Sequence, residues 1–587
     1  MKGQSSEERN RILELAGNPK NAVVEKLNSV QNGFRILQRT YCYDKTKKRS
    51  RNTKKAIGVV INNQYLTIEE YHSRYTHRGN LRTKTTIIKN NINMIDKKDV
   101  SFENGYIQQK LIGAIPILYK TAENCNIIED LSDVYGKEIA DEILSISFHW
   151  ILERDNAARR YKRFSAIFAL PFSGQISESD LAKIYSMLGT NKDLLFKLFS
   201  LRCKRIGDHS CVNYDSTSIP TKASDIYYKK VSKTKDGRYA PMFHLSILAE
   251  QKTGMPLLYS LFNGNEPDCS TIKDLIFKIS DLKEDKNNII FIFDRGYETI
   301  NNLLLCSKNS YKCIMATRVL DQDLINKARK KCPNFTSSAS IIPGTCIHGY
   351  TEAVTTIFRG VEYKLWVHIY KDDNQAARET ALFMKKLDDF EKEWKRSGIE
   401  EKDKLLSSPM IKFYKDTHIN LPLTRLHDEI DKYMKDFGYF SNVSTFETTA
   451  KEAYEKYSER DTIEKCFESG KMNINIDTVR SNFHDTMEGR FVVAFISLII
   501  LQELKFQLSK ERKFDDKRKK AIKAHSYTIT DVIDITRGIT INFSPKSNTY
   551  WIGGVLKEVK QLCIACGVDQ NLYSYAPSYI NLSYFNP

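Results

Sequence analysis

Two apolar runs that each end in an aspartate constrain most strongly what this chain can fold into. Cys211–Asp215 and Ile289–Asp294 are both typical of a buried strand that is followed by a carboxylate. They lie within residues 206–317, where hydrophobic periodicities of two and of 3.6 residues alternate. The predicted elements, in chain order, are strands Ser210–Ile219, Pro241–Ala249 and Met255–Phe262, helix Asp268–Leu282, strand Asn288–Phe293, helix Thr299–Ser307 and strand Lys312–Thr317.

This order predicts an α/β domain with a mixed sheet flanked by helices, and it matches the ribonuclease-H-like fold. Because such folds build their sites at the carboxyl ends of strands, we expect Asp215 and Asp294 to face one crevice. Carboxylates a few ångströms apart ionise together only with a cation, and Mg²⁺ prefers oxygen ligands. The alternative for each aspartate alone is a residue that caps the loop after a strand.

A predicted helix, Thr448–Lys471, carries four functional candidates. At roughly 100° per residue, Tyr457, Arg460, Glu464 and Lys471 fall within about 60° of one face. A carboxylate beside two cations suits a site for a metal ion and a phosphate, with Glu464 on the ion. The alternative is an exposed face held by salt bridges between neighbouring turns.

These residues resemble a known family. Their spacing resembles the YREK signature of the DDE transposases of bacterial insertion sequences, in the hairpin-forming branch with a β-rich insertion in its ribonuclease-H-like domain. Ser216 stands where many relatives carry threonine. The other matching features are Asp215-Ser216-Thr217-Ser218, Asp294-Arg295-Gly296-Tyr297, Gly264-Asn265 and the apolar helix that begins at Gly489.

The resemblance implies a chemistry for these positions. Asp215, Asp294 and Glu464 would be catalytic residues that hold two Mg²⁺ ions, for which Mn²⁺ would substitute. Tyr457, Arg460 and Lys471 would position DNA phosphates. The enzyme would cleave the inverted-repeat ends of an insertion sequence through a DNA hairpin on the element and would join the 3′-OH ends to target DNA as a homodimer.

Hairpin formation needs a flipped, unstacked base, and an aromatic ring can accept it. Trp366, in the predicted inserted strands, is our candidate for that stacking. The alternative is a core tryptophan that packs beside Val367 and Ile369.

Positive charge is in excess, with 90 Lys and Arg against 72 Asp and Glu, for a net charge of +18. This excess favours a polyanionic partner, and we expect double-stranded DNA. Each basic cluster alone could be a solvated surface. Two basic clusters supply the candidate DNA-binding residues Lys47, Lys48, Arg49, Arg51, Lys54, Lys55, Arg159, Arg160 and Arg163. A third cluster lies at Lys517–Lys523.

Five regions are predicted along the chain. They are an N-terminal region with a basic hairpin (1–125), a helical DNA-binding region (126–205), a catalytic domain in two pieces (206–317 and 437–510), an insertion domain (318–436) and a basic and mixed tail with a dimerisation role (511–587).

The sequence also bears on whether the chain carries a leader segment, a membrane span or a zinc site. The chain begins without an apolar leader, and Phe491–Leu501 is too short to span a bilayer, so we expect a buried core helix there. We therefore expect a cytoplasmic, nucleoid-associated protein with no membrane partner. Cys563 and Cys566 have no second pair of metal-ligand spacing, which favours small apolar residues on a helix over a zinc site.

Two other functions compete with the leading one. The chain could be a DNA-binding protein derived from a transposase that no longer cuts, or a ribonuclease-H-like DNA nuclease without strand transfer. The three acids together with Arg460 and Lys471 disfavour the first, and the insertion together with the YREK spacing disfavours the second.

Overall fold

The structure is a computed structural model. It describes residues 6–26, 33–44, 49–68, 108–207, 210–233, 238–282, 289–317, 336–415, 418, 422–510, 512–513, 521–522, 527–544 and 549–580, with the backbone alone at 40–44, 49–53, 358, 512–513 and 521–522. The chain divides into two compact units, Met1–Ser101 and Phe102–Pro587.

The first unit is a helix on a small antiparallel sheet. Helix α1 (Ser6–Leu15) packs on strands β1 (Ala22–Lys26), β2 (Gly33–Asp44), β3 (Arg49–Ile61) and β4 (Gln64–Thr67), which pair in that order. The long pair β2–β3 is the predicted basic hairpin. Lys47 and Lys48 lie outside the described residues, as do the side chains of Arg49 and Arg51.

The second unit begins with strand β5 (Gln108–Leu111) and a set of helices. The predicted helical stretch Ser132–Phe164 is interrupted at Gly136 and again at Arg154–Ala157, and Asn191 interrupts the next. The Oγ of Ser177 accepts the N–H of Asp180, which caps the helix that follows it. The helices are α2 (Ile115–Asn124), α3 (Ile127–Tyr135), α4 (Lys137–Glu153), α5 (Ala158–Ile167), α6 (Glu178–Thr190) and α7 (Lys192–Lys204).

The central sheet then follows. Its strands and helices are β6 (Cys211–Pro220), β7 (Lys230–Lys233), β8 (Tyr239–Glu250), β9 (Pro256–Asn263), α8 (Asp268–Leu282), β10 (Ile290–Phe293), α9 (Ile300–Lys308) and β11 (Lys312–Ala316). The strands β9, β8, β6, β10 and β11 are neighbours in that order. Strand β8 is antiparallel to β6 and β9, whereas β6, β10 and β11 are parallel. This is the mixed sheet of the ribonuclease-H-like fold, so the predicted fold class is confirmed.

A hairpin from the predicted insertion extends this same sheet. Its strands are β12 (Ile347–Phe358) and β13 (Val361–Asp372). The elements after it are α10 (Asp373–Arg396), α11 (Ile399–Leu405), β14 (Tyr414–Lys415), β15 (Thr424–Arg425), α12 (His427–Met434) and β16 (Tyr439–Ser444). Strand β16 pairs with β11 on one side and with β13 on the other, so the hairpin joins the central sheet through β16. Helices α10 and α12 share a separate small core that contains Leu387, Phe390 and Ile430.

The predicted continuous helix Thr448–Lys471 is wrong. Two helices replace it, α13 (Ala450–Ser458) and α14 (Asp461–Ile474), which meet at Glu459 and Arg460. The hydroxyl of Ser458 donates to the carbonyl of Glu455, a bond that competes with the helical hydrogen-bond pattern. Arg460 therefore lies at the junction, where its side chain extends toward the sheet.

The long apolar helix α15 (His484–Ser509) is buried in the second unit. By length and composition it could cross a membrane, but 83% of its most apolar stretch is buried inside the protein. The predicted core helix at Phe491–Leu501 is confirmed, and Glu488 and Arg490 near its start are buried as well.

The remaining elements are β17 (Arg512–Lys513), β18 (Ala521–Ile522), α16 (Ile529–Thr536), β19 (Thr540–Ser544), β20 (Thr549–Gly553) and α17 (Glu558–Ala565). Strand β19 pairs with β5, so the tail is tied to the start of the unit. Cys563 is buried on α17 and Cys566 is buried just after it, and the described residues contain no group of three metal-ligating side chains. Lys517–Lys520 and Lys523 lie outside the described residues.

Close contact between α15 and α6 gives a test of this core. A Cβ added to Gly489 would lie 1.7 Å from the carbonyl oxygen of Tyr185, so Gly489→Ala must push the two helices apart. We expect a loss of about 3 kcal/mol in the free energy of unfolding, because overpacking a rigid core is costly. Gly538→Ala is the control, since nothing lies within 4 Å of an added Cβ there. Equal melting temperatures for the two variants would contradict this packing.

Candidate active site

The two aspartates lie on neighbouring parallel strands. Tyr214 of β6 is paired with Phe293 of β10, so Asp215 and Asp294 come next on each strand and on the same face of the sheet. Strand β10 ends there, whereas β6 continues to Pro220 because β8 pairs with it along its length. The predicted strand Ser210–Ile219 is confirmed, with Asp215 inside it rather than at its end, and the expected juxtaposition of the two carboxylates is found.

The environment of Asp215 disfavours its charge. Burial raises the pKa of Asp215 to about 6, although the backbone N–H of Ser216 donates to its Oδ1 at 2.8 Å. Nearby Asp294 and Asp268 add smaller increases in this pKa as like charges. A cation placed here would stabilise the ionised form.

Asp294 is held by several donors. Its Oδ1 accepts the backbone N–H of Arg295 at 2.7 Å and the hydroxyl of Tyr457 at 3.1 Å. Its Oδ2 lies 3.3 Å from a guanidinium nitrogen of Arg460. Burial and the charge of Asp294 raise the pKa of Tyr457 well above its usual value, so Tyr457 stays a hydrogen-bond donor.

Arg460 joins the strand to the helix. Its second guanidinium nitrogen lies 3.1 Å from Oε1 of Glu464, one turn along α14. A single side chain therefore pairs with two of the three candidate carboxylates. Glu464 is the most accessible of this set, with 57% of its side chain exposed.

Lys471 approaches the sheet from the other end of α14. Its Nζ donates to Oγ1 of Thr217 at 3.0 Å, and Thr217 lies two residues beyond Asp215 on β6. The break between α13 and α14 does not separate the predicted group: Tyr457, Arg460 and Lys471 all contact the two strands that carry the aspartates.

The donor set suits a divalent ion in its chemistry. Asp215, Asp294 and Glu464 offer carboxylate oxygens, the ligands that Mg²⁺ prefers, and Asp215 is a half-buried acid that lacks an ion-pair partner among the described residues. In the described part of the chain, no three acids lie close enough together to hold one ion. Arg460 instead supplies the positive charge at Asp294 and Glu464.

One further acid belongs to this site and was missed by the sequence-based reasoning. Asp268 begins α8, and its Oδ1 accepts the hydroxyl of Ser216 at 2.5 Å. A Cβ added to Gly296 would lie 3.6 Å from its other oxygen, so it also borders the turn after Asp294. The signal in the sequence was its position shortly after Gly264-Asn265, a pair that is part of the family resemblance.

Trp366 lies on the same face of the sheet as Asp294. Cross-strand partners carry this face from Trp366 to Ser444 and on to Ile314 and Ile292, two residues before Asp294. The ring is half-buried, and Nζ of Lys364 lies 5.1 Å from its centre. Val367 and Ile369 are buried, and because successive strand residues alternate, they point to the opposite face.

The basic candidates on α5 are exposed. Arg159 and Arg163 face solvent, and Arg160 pairs with Asp155 at 3.2 Å. In the first unit Lys55 is exposed, and Lys54 pairs with Glu25 at 2.5 Å.

The raised pKa of Asp215 predicts that the free energy of unfolding falls as pH rises. The folded state binds this proton more tightly than the unfolded state, so the associated stability is full below about pH 4 and is lost as pH rises through 6. In EDTA, Asp215→Asn should gain on the order of 2 kcal/mol over wild type between pH 4 and 7, at about 1.4 kcal/mol per pKa unit. Urea unfolding across this range measures the difference, with the exposed Asp461→Asn as control. Parallel curves for wild type and Asp215→Asn would exclude a buried acid.

Comparisons with known proteins place this geometry in a family. The family model described as a transposase DDE domain matches residues 206–500, which is half of the chain and includes all the residues of this site. No curated protein sequence matches the chain. A cryo-EM structure of the piggyBac transposase in a synaptic complex with hairpin DNA is similar at 8% identity, with a TM-score of 0.34 over 67% of this chain and 76% of that one. The chain belongs to the DDE-domain transposases.

Proposed function

We propose that this transposase binds the inverted-repeat ends of a bacterial insertion sequence, cleaves them, and joins the 3′-OH ends to target DNA. The observation that carries the proposal is the convergence of Arg460 on Asp294 and Glu464, beside Asp215. Neighbouring carboxylates with a cationic fork between them suit phosphodiester chemistry.

Each side chain has a role in this reaction. Asp215, Asp294 and Glu464 would hold two Mg²⁺ ions, with Mn²⁺ as a substitute. When bound, such ions activate the attacking oxygen and stabilise the leaving oxygen. The hydroxyl of Tyr457 fixes the orientation of Asp294 through its hydrogen bond.

The two cations would hold the DNA backbone. Arg460 presents a planar fork that matches two phosphate oxygens, and it lies within hydrogen-bonding reach of Asp294. Lys471 adds a point charge beside Thr217, two residues beyond Asp215. A phosphate that enters between Arg460 and Lys471 would be bound by a cation on each side of the scissile bond.

The wider mechanism is proposed from the resemblance of the sequence to the hairpin-forming branch. The enzyme would form and reopen a DNA hairpin on the element and would work as a homodimer on double-stranded DNA. The exposed Arg159 and Arg163 would contribute to end binding, together with Lys54, Lys55 and the N-terminal hairpin. Its place would be the cytoplasm, at the nucleoid.

The proposal is tested on a labelled duplex that carries one end of the element. Glu464→Gln should abolish nicking and leave end binding within about twofold, because a metal ligand acts mainly in the transition state. Asp215→Ala and Asp294→Ala should behave in the same way. Glu468→Gln is the matched control, since Glu468 is an exposed acid one turn further along α14.

The outcomes separate the alternatives. Wild-type binding without cleavage under Mg²⁺ and Mn²⁺ would favour a DNA-binding protein that no longer cuts. Cleavage without joined products would favour a nuclease. Normal nicking by Glu464→Gln would remove Glu464 from the site.

Trp366 has its own test. If its ring accepts a flipped base, Trp366→Ala should spare the first nick and reduce the hairpin product, because base–aromatic stacking contributes about 1–3 kcal/mol. Trp366→Phe should recover part of the loss, and the partly exposed Trp551→Ala serves as the control. Nicked and hairpin products are quantified on the same gel, with a thermal melt of each variant. An unchanged ratio of hairpin to nick in Trp366→Ala would refute the stacking role.

A further inference from the structure

A basic and aromatic ribbon forms one edge of the catalytic sheet. We define the edge ribbon as residues 227–233 and 238–241, in which β7 pairs with the start of β8. The surrounding segment Pro220–Pro241 contains six basic and two acidic residues. Lys230, Lys233 and Arg238 are exposed on it.

One face of the edge ribbon lies on the same side of the sheet as Asp215, although the residues of β8 between them are buried. Val231 pairs with Pro241 and Lys233 with Tyr239, so these four share one face. Alternate residues along β8 lead from Pro241 to Ile247, which is the partner of Asp215. The partner of Thr217, Leu245, lies between them on the same face.

Exposed rings distinguish this edge from an ordinary protected edge strand. Lysines alone would be explained as a guard against edge-to-edge pairing of sheets. Tyr227, Val231 and Tyr239, however, are exposed to 69%, 63% and 74%. These apolar groups add exposed surface that a protective edge avoids, and the basic residues beside them form the stripe of positive charge that is typical of a nucleic-acid surface.

One loop links the edge ribbon to helix α5. The backbone N–H of Tyr227 donates to Nδ1 of His484 at 3.4 Å, at the start of α15. At the other end of the same loop, the side chain of Asn156 donates to the carbonyls of Asn475 and Thr478. Asn156 lies two residues before the start of α5, whose Arg159 and Arg163 are exposed. The two basic surfaces therefore border a single loop.

We propose that the edge ribbon is a second contact for the duplex at the element's end. Lys233 and Arg238 bind its phosphates, and Tyr239 packs against the sugars. Tyr239 lies eight residues along β8 from Ile247, or about 26 Å at the rise of a β-strand. That length corresponds to about eight base pairs from the scissile phosphate. The proposal rests on the proposed function and adds the extent of its DNA substrate.

The test compares two variants that lose the same charge. Lys233→Ala/Arg238→Ala removes two cations from the edge ribbon, and Lys385→Ala/Lys386→Ala removes two exposed cations from α10, whose surface also carries Asp388 and Asp389. Binding to a 30-base-pair end duplex is measured from 50 to 200 mM salt. The ribbon variant should lower the slope of log affinity against log salt by about 1.8, at about 0.9 per phosphate. The α10 variant should keep the wild-type slope.

Duplex length locates the contact. The difference between the ribbon variant and wild type should vanish when the element side is cut to five base pairs, and it should persist when the opposite side is shortened. Tyr239→Ala should weaken binding to the long duplex about threefold or more and should match wild type on the short one.

Three results would overturn the inference: an unchanged slope for the ribbon variant, a difference that follows the opposite side of the duplex, or a defect confined to the binding of target DNA.

Cleavage and joining by wild-type protein are measured in the same experiment. If wild type joins ends while the ribbon variant binds normally, only this inference fails. If wild type neither binds nor cuts ends, the proposed function itself fails.

Discussion

The ion pairs of Arg460 are the interaction on which the site depends. One guanidinium contacts Asp294 at the end of β10 and Glu464 on α14, and thus fixes the distance between a strand and a helix that are far apart in sequence. Of the two pairs, that with Asp294 is the more shielded, since 35% of Asp294 is exposed against 57% of Glu464. An exposed pair is worth little on its own. Glu464 is thus the carboxylate that moves most cheaply when a ligand enters.

The sequence predicts the catalytic strands well because local and global preferences agree there. Asp294 follows a continuous apolar run and Asp215 follows one interrupted only by Asn213, and buried parallel strands need such runs. Their juxtaposition follows from the strand order alone. Asp268 could not be found in this way, because its contact with Ser216 joins the start of a helix to a strand and leaves no periodic pattern.

The helix of the YREK spacing shows where periodicity misleads. Counting 100° per residue assumed one straight helix, yet Glu459 and Arg460 interrupt it. The four side chains still meet, because the sheet supplies their partners: Asp294 for Tyr457 and Arg460, and Thr217 for Lys471. Tertiary contacts outweighed helical geometry, and a sequence pattern that records only spacing does not contain them.

The inserted hairpin has a consequence for how this family can vary. Because β13 is hydrogen-bonded to β16, the pairing register determines which face of the sheet each residue of β13 lies on. A slip of one residue would exchange Trp366 for Leu365 or Val367 on the face that carries Asp294. Insertions can therefore accumulate freely between the hairpin and β16, where α10 and α12 have their own core. Within the paired strands, only changes by an even number of residues keep Trp366 on the sheet face that carries Asp294.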